Sequence, residues 1–277
     1  MRERNILKEI LVVVMLIVSI SVFFLIKNNT DPAYEGSGKI DIGGYELFIR
    51  AEGNGKPVVV FETGLNGDFA HWQNVAGEIN KYTKTVIYDR AGIGLSDISP
   101  YERTSEVKAR ELHTLLQRAN IKPPYILVGH SLGGHTVRIF AAKYPKEVAG
   151  IVLVDVSHED ADKKIKPLLT AAQLEEQMKF EEDINKTSKD GKIKDFEISD
   201  EQVRATRNSL RNIPLTVIAA RETIGYYPNN IWLDLQTDLA SLSKNGKLII
   251  AENSGHVIQA DEPQVVIDAV LDMLKKK

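Results

Sequence analysis

A chain of 277 residues suits a single α/β domain with one continuous core, and 43% hydrophobic with 26% charged residues argues against a disordered or fibrous chain. The formal charge of -3, from 35 basic and 38 acidic residues with no long basic cluster, argues against a nucleic-acid partner. Cysteine is absent, which excludes disulfides, thiolate metal sites and a cysteine nucleophile.

The first element in the chain is Ile10 to Ile26 (ILVVVMLIVSISVFFLI), an uncharged apolar run of 17 residues broken only by Ser19 and Ser21. As a helix it would span roughly 26 Å, close to the hydrocarbon thickness of a bilayer. Arg2, Arg4 and Lys8 precede it, partly offset by Glu3 and Glu9, so the positive-inside bias puts the N-terminus in the cytoplasm. The expected organisation is a cytoplasmic segment (1–9), a transmembrane signal anchor (10–26), a linker (27–38) and an extracytoplasmic catalytic domain (39–277). Cleavage and secretion is the competing reading. The apolar run exceeds the usual signal-peptide core, however, and KNNTDPAYEG offers no clear cleavage site.

KIDIGG and YELFIRAEG flank the Gly43-Gly44 pair and predict an antiparallel hairpin. PVVVFETG, TVIYDR, YILVGHS, GIVLVDVS, IPLTVIAA and KLIIAEN follow as short β-branched runs, the pattern of strands buried on both faces of a parallel sheet. Between and after them His71 to Lys81, Ser105 to Ala119, Leu132 to Lys143, Ile231 to Ser243 and Pro263 to Leu274 carry apolar residues at helical spacing. The alternation predicts an α/β fold, a mostly parallel eight-stranded sheet with helices on both faces. His158 to Asn212 breaks it. Rich in Lys, Glu and Asp, with one weak helix at Ala171 to Ile184, it is too long for an ordinary loop and is expected to form a small helical cap (158–212) over the carboxyl edge of the sheet.

Gly129-His130-Ser131-Leu132-Gly133 is a G-x-S-x-G set between a strand and a helix, where flanking glycines let a strand and a helix approach around a strained, raised serine. A serine hydroxyl needs a base. His71 and His113 fall within helices, and His130 and His135 flank the serine as packing or surface residues. His158 opens the cap and is a weaker candidate to line the site. His256 follows the last strand on a Ser-Gly turn at the carboxyl edge, where open α/β sheets place their ligands, and is the expected base. Two acids compete to orient it: Asp155, which ends GIVLVD beside the serine strand, and Glu222, just past LTVIAAR. Asp155 is preferred because a buried strand-end carboxylate requires a partner. The oxyanion donors are expected to be the amides of Leu132, next to the nucleophile, and Leu65, after the Gly64 turn.

FETGLNG, YDRAGIGLSD, VGHSLGG and SGHVIQADEP stand in this order. From about Ile40 to Leu274 the chain thereby resembles the α/β-hydrolase superfamily, in the branch with a helical cap that includes esterases, lipases, C-C bond hydrolases and haloalkane dehalogenases. The resemblance implies that Asp89 and Arg90 are scaffold residues. Two departures stand out: Thr63 occupies the place of the usual histidine in the oxyanion block, and the usual Gly-x-x-Asp after the seventh strand is missing. Some relatives place the acid after the sixth strand instead, which corresponds to Asp155. A serine at position 131 argues against dehalogenases and epoxide hydrolases, whose nucleophile is an aspartate. The expected activity is therefore carboxylic-ester hydrolysis on a small-molecule ester, with neither a metal nor an organic cofactor implied. A prolyl-aminopeptidase-like peptidase, and a non-catalytic ligand-binding protein of the same fold, are the alternatives.

Overall fold

A computed structural model describes residues 33–222 and 227–275. The expected segments 1–9 and 10–26 lie outside the described residues. Among the described residues no helix is long and apolar enough to cross a membrane.

The chain opens on β1 (Gly36–Asp41) and β2 (Glu46–Glu52), antiparallel across the Gly43-Gly44 turn, where both glycines have positive φ. β1 begins inside the stretch read as a linker (27–38), and the compact unit begins at Glu35 rather than at 39. The displaced boundary has a simple cause: Gly36, Ser37 and Gly38 carry no apolar alternation, and the ladder to β2 draws them into the sheet. Next come β3 (Val58–Glu62), α1 (Gln73–Ile79), β4 (Thr85–Tyr88), α2 (Ser105–Arg118), β5 (Tyr125–His130), α3 (Gly133–Lys143) and β6 (Val148–Val154). After the insertion, which carries α4 (Ala161–Ile165), α5 (Ala171–Thr187) and α6 (Ile193–Ala205), the chain resumes with β7 (Leu215–Ala220) and α7 (Asn229–Ser241). It finishes with β8 (Gly246–Ala251), the short α8 (Ile258–Asp261) and α9 (Pro263–Lys275).

The eight strands lie in the order β1-β2-β4-β3-β5-β6-β7-β8, antiparallel across β1, β2 and β4 and parallel thereafter. Every residue of β3, β4, β5 and β7 is buried, as helices on both faces require. α9 presents Val266, Ile267, Ala269, Val270 and Met273 to the core around Phe61, Trp72 and Val152. β4 precedes β5 in sequence yet lies on the far side of β3, so the strand order reverses between β3 and β5. A crevice opens at such a reversal, outside the carboxyl ends of the strands. The loops that leave β3 and β5 there carry Gly64-Leu65 and Ser131.

The insertion is helical, but only one of its helices is visible in the sequence pattern. α5 extends beyond the expected Ala171 to Ile184 and starts on a reciprocal capping box between Thr170 and Gln173. α6 lies outside the expected helix, with few fully buried residues and polar contacts that help to hold it. Thr104 gives α2 no side-chain cap, and the first α2 amides, of Ser105 and Glu106, donate instead to Ser199 Oγ (2.8 Å) and Gln202 Oε1 (2.9 Å) of α6. Asp200 of α6 meets His135 Nε2 at 2.8 Å.

Candidate active site

Ser131 has φ 52°, a left-handed conformation that few side chains other than glycine adopt. The surrounding glycines explain how the turn is tolerated. A Cβ on Gly134 would lie 2.5 Å from Val156 Cβ, one on Gly129 would lie 2.9 Å from Val137 Cγ2, and one on Gly133 would collide with the Thr63 carbonyl. The end of β6 clasps the same turn, with Ser131 N donating to Val154 O (3.2 Å) and Ser157 N to Ser131 O (3.1 Å). α3 begins two residues after Ser131, so its partly positive end adjoins the serine.

One turn along the edge, Asp155 is fully buried and also left-handed, at φ 43°. Its Oδ1 accepts from Ala220 N (3.0 Å) and Trp232 Nε1 (2.8 Å), and its Oδ2 lies 2.7 Å from His256 Nδ1. Three donors compensate the loss of hydration that burial imposes on this carboxylate. Because a carboxylate only accepts, His256 Nδ1 carries a proton, and in the neutral ring the lone pair is then on Nε2. Glu222, the alternative acid, is exposed at the end of β7, where its amide donates to Ser254 O at 3.3 Å. The structure brings Asp155, and not Glu222, to the imidazole.

The His256 ring lies tilted against that of His130, centroids 4.6 Å apart, and His130 directly precedes Ser131. His130 Nε2 sits 2.9 Å from the His256 carbonyl oxygen and must donate to it. Burial pushes the His130 pKa down to about 3, with the nearby His256 adding to the effect, so the ring is neutral across the physiological range. His130 therefore holds the backbone of the His256 loop. Of the packing and surface roles the sequence leaves open for it, His130 takes the packing one; the bond to the loop is not legible, since the two residues are 126 positions apart.

On the other side of Ser131, a Cβ on Gly64 would lie 3.0 Å from Ser131 Cβ and 3.0 Å from His130 Nδ1, so the turn after β3 abuts the serine and a side chain there would push on both residues. Among the described residues, neither the Leu65 amide nor the Leu132 amide is engaged by a backbone carbonyl. Thr63, in place of the histidine usual in this block, donates through Oγ1 to Gly67 O (2.8 Å) and accepts from Arg90 NH1 (2.8 Å). The Thr63 hydroxyl thus has both a donor and an acceptor partner within the turn and its support.

The remaining histidines are engaged elsewhere. His158 is buried, with Nε2 2.8 Å from Asp238 Oδ2, in a group where Arg138 makes a paired contact with Glu159 (2.8 and 3.0 Å) and Arg207 reaches Glu159 (2.6 Å). This group fastens the base of the insertion to α3 and α7. His113 stacks on Tyr144 with centroids 3.7 Å apart and lies 3.2 Å from Glu147 Oε2. His71 sits in a 3-10 turn (Phe69–Trp72), ahead of the α-helix that the sequence pattern started there. Among the described residues no group of three or more His, Asp or Glu side chains is arranged to hold a metal ion.

Residues 57–176 match the family model of the alpha/beta hydrolase fold. An uncharacterized protein of Bacillus subtilis (strain 168), YqjL, is 30% identical over 223 residues, covering 80% of this chain and 85% of that protein. The chain belongs to the α/β-hydrolase family. Solved α/β-hydrolase structures share its fold at low identity. The enol-lactonase of Burkholderia xenovorans LB400 superposes with a TM-score of 0.65 at 18% identity, over 86% of this chain and all (100%) of that one. A thermophilic esterase of Thermogutta terrifontis superposes with 0.62 at 20% identity, over 87% and 98%. A named relative, the 2-(acetamidomethylene)succinate hydrolase of Mesorhizobium japonicum, is 32% identical over 119 residues, 43% of this chain and 42% of its own.

Proposed function

We propose that the protein is a serine hydrolase acting on carboxylic esters of small molecules. The observation that carries this reading is the bond of 2.7 Å between His256 Nδ1 and a buried, triply bonded Asp155, at the same sheet edge as a left-handed Ser131. In the proposed reaction His256 Nε2 takes the Ser131 proton as Oγ adds to the ester carbonyl. The amides of Leu65 and Leu132 receive the oxyanion, and Asp155 orients the imidazole and stabilises its cation. Collapse of the adduct breaks the acyl–oxygen bond, and His256 returns the proton to the leaving alcohol. Water, activated by the same imidazole, then releases the acid and regenerates Ser131. Structural neighbours named as an esterase and an enol-lactonase support an acyl–oxygen bond as the target.

The peptidase alternative requires free carboxylates to receive a substrate amine. Of the four α5 glutamates, Glu175 and Glu182 are instead solvated and paired with Lys179 (2.7 Å) and Lys186 (2.6 Å) one turn away, Glu181 meets Lys166 at 3.0 Å, and Glu176 is exposed. That pairing favours the ester reading. The test is hydrolysis of short p-nitrophenyl esters by the full chain: Ser131→Ala and His256→Ala are expected to abolish turnover. Undiminished turnover by Ser131→Ala would overturn the mechanism. We further propose that 10–26 anchors the chain, with the hydrolase domain extracytoplasmic. Alkali-resistant membrane association and protease accessibility of the domain in intact cells are the expected results, and recovery of the full-length chain in the soluble fraction would refute it.

A further inference from the structure

The loop joining α5 to α6 enters the protein directly beneath the turn that carries Leu65. Asp190, on this loop, is fully buried and bound to Arg90 through Nε (2.9 Å to Oδ1) and through NH2, with Lys108 Nζ 3.1 Å from Oδ1. The Asn66 amide donates to Asp190 Oδ2 at 3.0 Å, and Ser188 Oγ meets Asn66 Oδ1 at 3.0 Å. Arg90, itself buried, spends its other donors on the strand and turn: NH1 on Glu62, on Thr63 O (2.7 Å) and on Thr63 Oγ1, and NH2 on Gly64 O (2.5 Å).

The bond to Gly64 O has a geometric consequence. The Gly64 carbonyl and the Leu65 N–H belong to one planar trans peptide and point in opposite directions. The same carbonyl also accepts from Gly67 N (3.1 Å), so Arg90 and the turn together fix its direction, and with it hold the Leu65 N–H pointing away from the guanidinium. The planar guanidinium transmits direction in a way an ammonium would not, because its donors lie in a rigid fork. Asp190 determines where that fork sits. Burial works to raise the Asp190 carboxyl, but the charges of Arg90 and Lys108 outweigh it and hold the group well below the usual carboxylate range. A buried ion cluster of this kind contributes little net stability compared with an apolar filling. Its distinctive contribution is orientation.

We propose that Asp190 is a positioning residue for catalysis: the helical insertion, through Asp190 and Arg90, sets the direction of the Leu65 amide that receives the oxyanion. The insertion is then part of the oxyanion site as well as a cover, and undocking the 188–191 loop releases the amide. The inference rests on the hydrolase reading above and assigns a role that reading leaves open.

The experiment compares Asp190→Asn with the unaltered full chain on p-nitrophenyl acetate and on its thiono analogue, in which sulfur replaces the carbonyl oxygen and hydrogen-bonds weakly. A site with its oxyanion amide in place prefers the oxygen ester. Asp190→Asn is expected to lower kcat on the oxygen ester by 10- to 100-fold with KM changed less than threefold, and to cut the oxygen-to-thiono preference at least tenfold. Ser188→Ala, which removes one neutral hydroxyl between the same loops, is expected to cut it two- to fivefold with the fold intact. It decides the matter if Asp190→Asn does not fold. An unchanged preference in the folded variants overturns the inference while leaving the hydrolase reading standing. Undiminished turnover by Ser131→Ala overturns the reading itself, and the inference with it.

Discussion

Replacing Asp155 by asparagine has an outcome that the local geometry dictates. Oδ1 accepts from two fixed donors, Ala220 N and Trp232 Nε1, and Oδ2 faces His256 Nδ1. An asparagine in this site must direct its single oxygen to the two donors, because its NH2 group there would leave both without an acceptor, at about 1–3 kcal/mol each. The NH2 therefore faces His256 and donates to Nδ1, which forces the proton onto Nε2. A ring protonated on Nε2 cannot take the Ser131 proton. The same tautomer trap in the serine-protease triad lowers kcat about 10⁴-fold, which corresponds to about 5.5 kcal/mol of barrier. A loss of this order is expected here, with KM for a short p-nitrophenyl ester little changed and thermal unfolding shifted by only a few degrees. Stopped-flow release of p-nitrophenol with protein at substrate excess measures it directly. Asp155→Asn retaining more than a tenth of the parent kcat would refute the assignment of the tautomer, and with it the role given to Asp155.

Other perturbations follow from the same contacts. The His130 pKa is about 3 in the folded chain against 6.5 for an unperturbed ring, so below pH 6.5 the unfolded state binds a proton that the folded state refuses. Its contribution is complete above pH 6.5 and is lost as pH falls toward 3. Between pH 7 and pH 5 urea unfolding should show the parent losing about 2 kcal/mol more than His130→Gln, and equal losses would contradict a neutral buried ring. Gly134→Ala drives a methyl group to 2.5 Å from Val156 Cβ and should cost about 1–3 kcal/mol together with activity. By contrast, Gly77→Ala in α1 meets nothing within 4 Å and should stabilise by about 0.5–1 kcal/mol. Calorimetry distinguishes the two, and a fall in Tm for Gly77→Ala would undermine the steric argument. Ser199→Ala leaves the Ser105 amide of α2 without its acceptor and should cost about 1–2 kcal/mol, with hydrogen exchange quickening at the start of α2.

What the sequence makes legible is what is local. The buried strands announce themselves as β-branched runs, and once β5 and β6 are neighbours the carboxylate at the end of β6 emerges beside Ser131. The sequence ranks Asp155 above Glu222 on its strand-end position and on the resemblance, and the structure adds donors from Ala220 and Trp232 that neither could show. Trp232 reads in sequence as one more apolar residue of α7, because its indole donor matters only when β6 and α7 are packed. Asp190 lies in TSKDGKIKD, a stretch indistinguishable from a solvated charge run; its partner Arg90 is 100 residues away. α6 gives a weak signal because just Ser199 and Val203 of its length are fully buried and apolar residues such as Ile193 and Phe196 are half-buried, so polar groups share in holding it.

The most direct measurement is the site of covalent capture. Treating the full chain with a fluorophosphonate and digesting it should yield one modified peptide, VGHSLGG and its flanks, with the added mass on Ser131 and no adduct in His256→Ala over the same interval. Unmodified Ser131 in folded protein, or an adduct formed equally fast without His256, would contradict an imidazole-activated serine at this sheet edge.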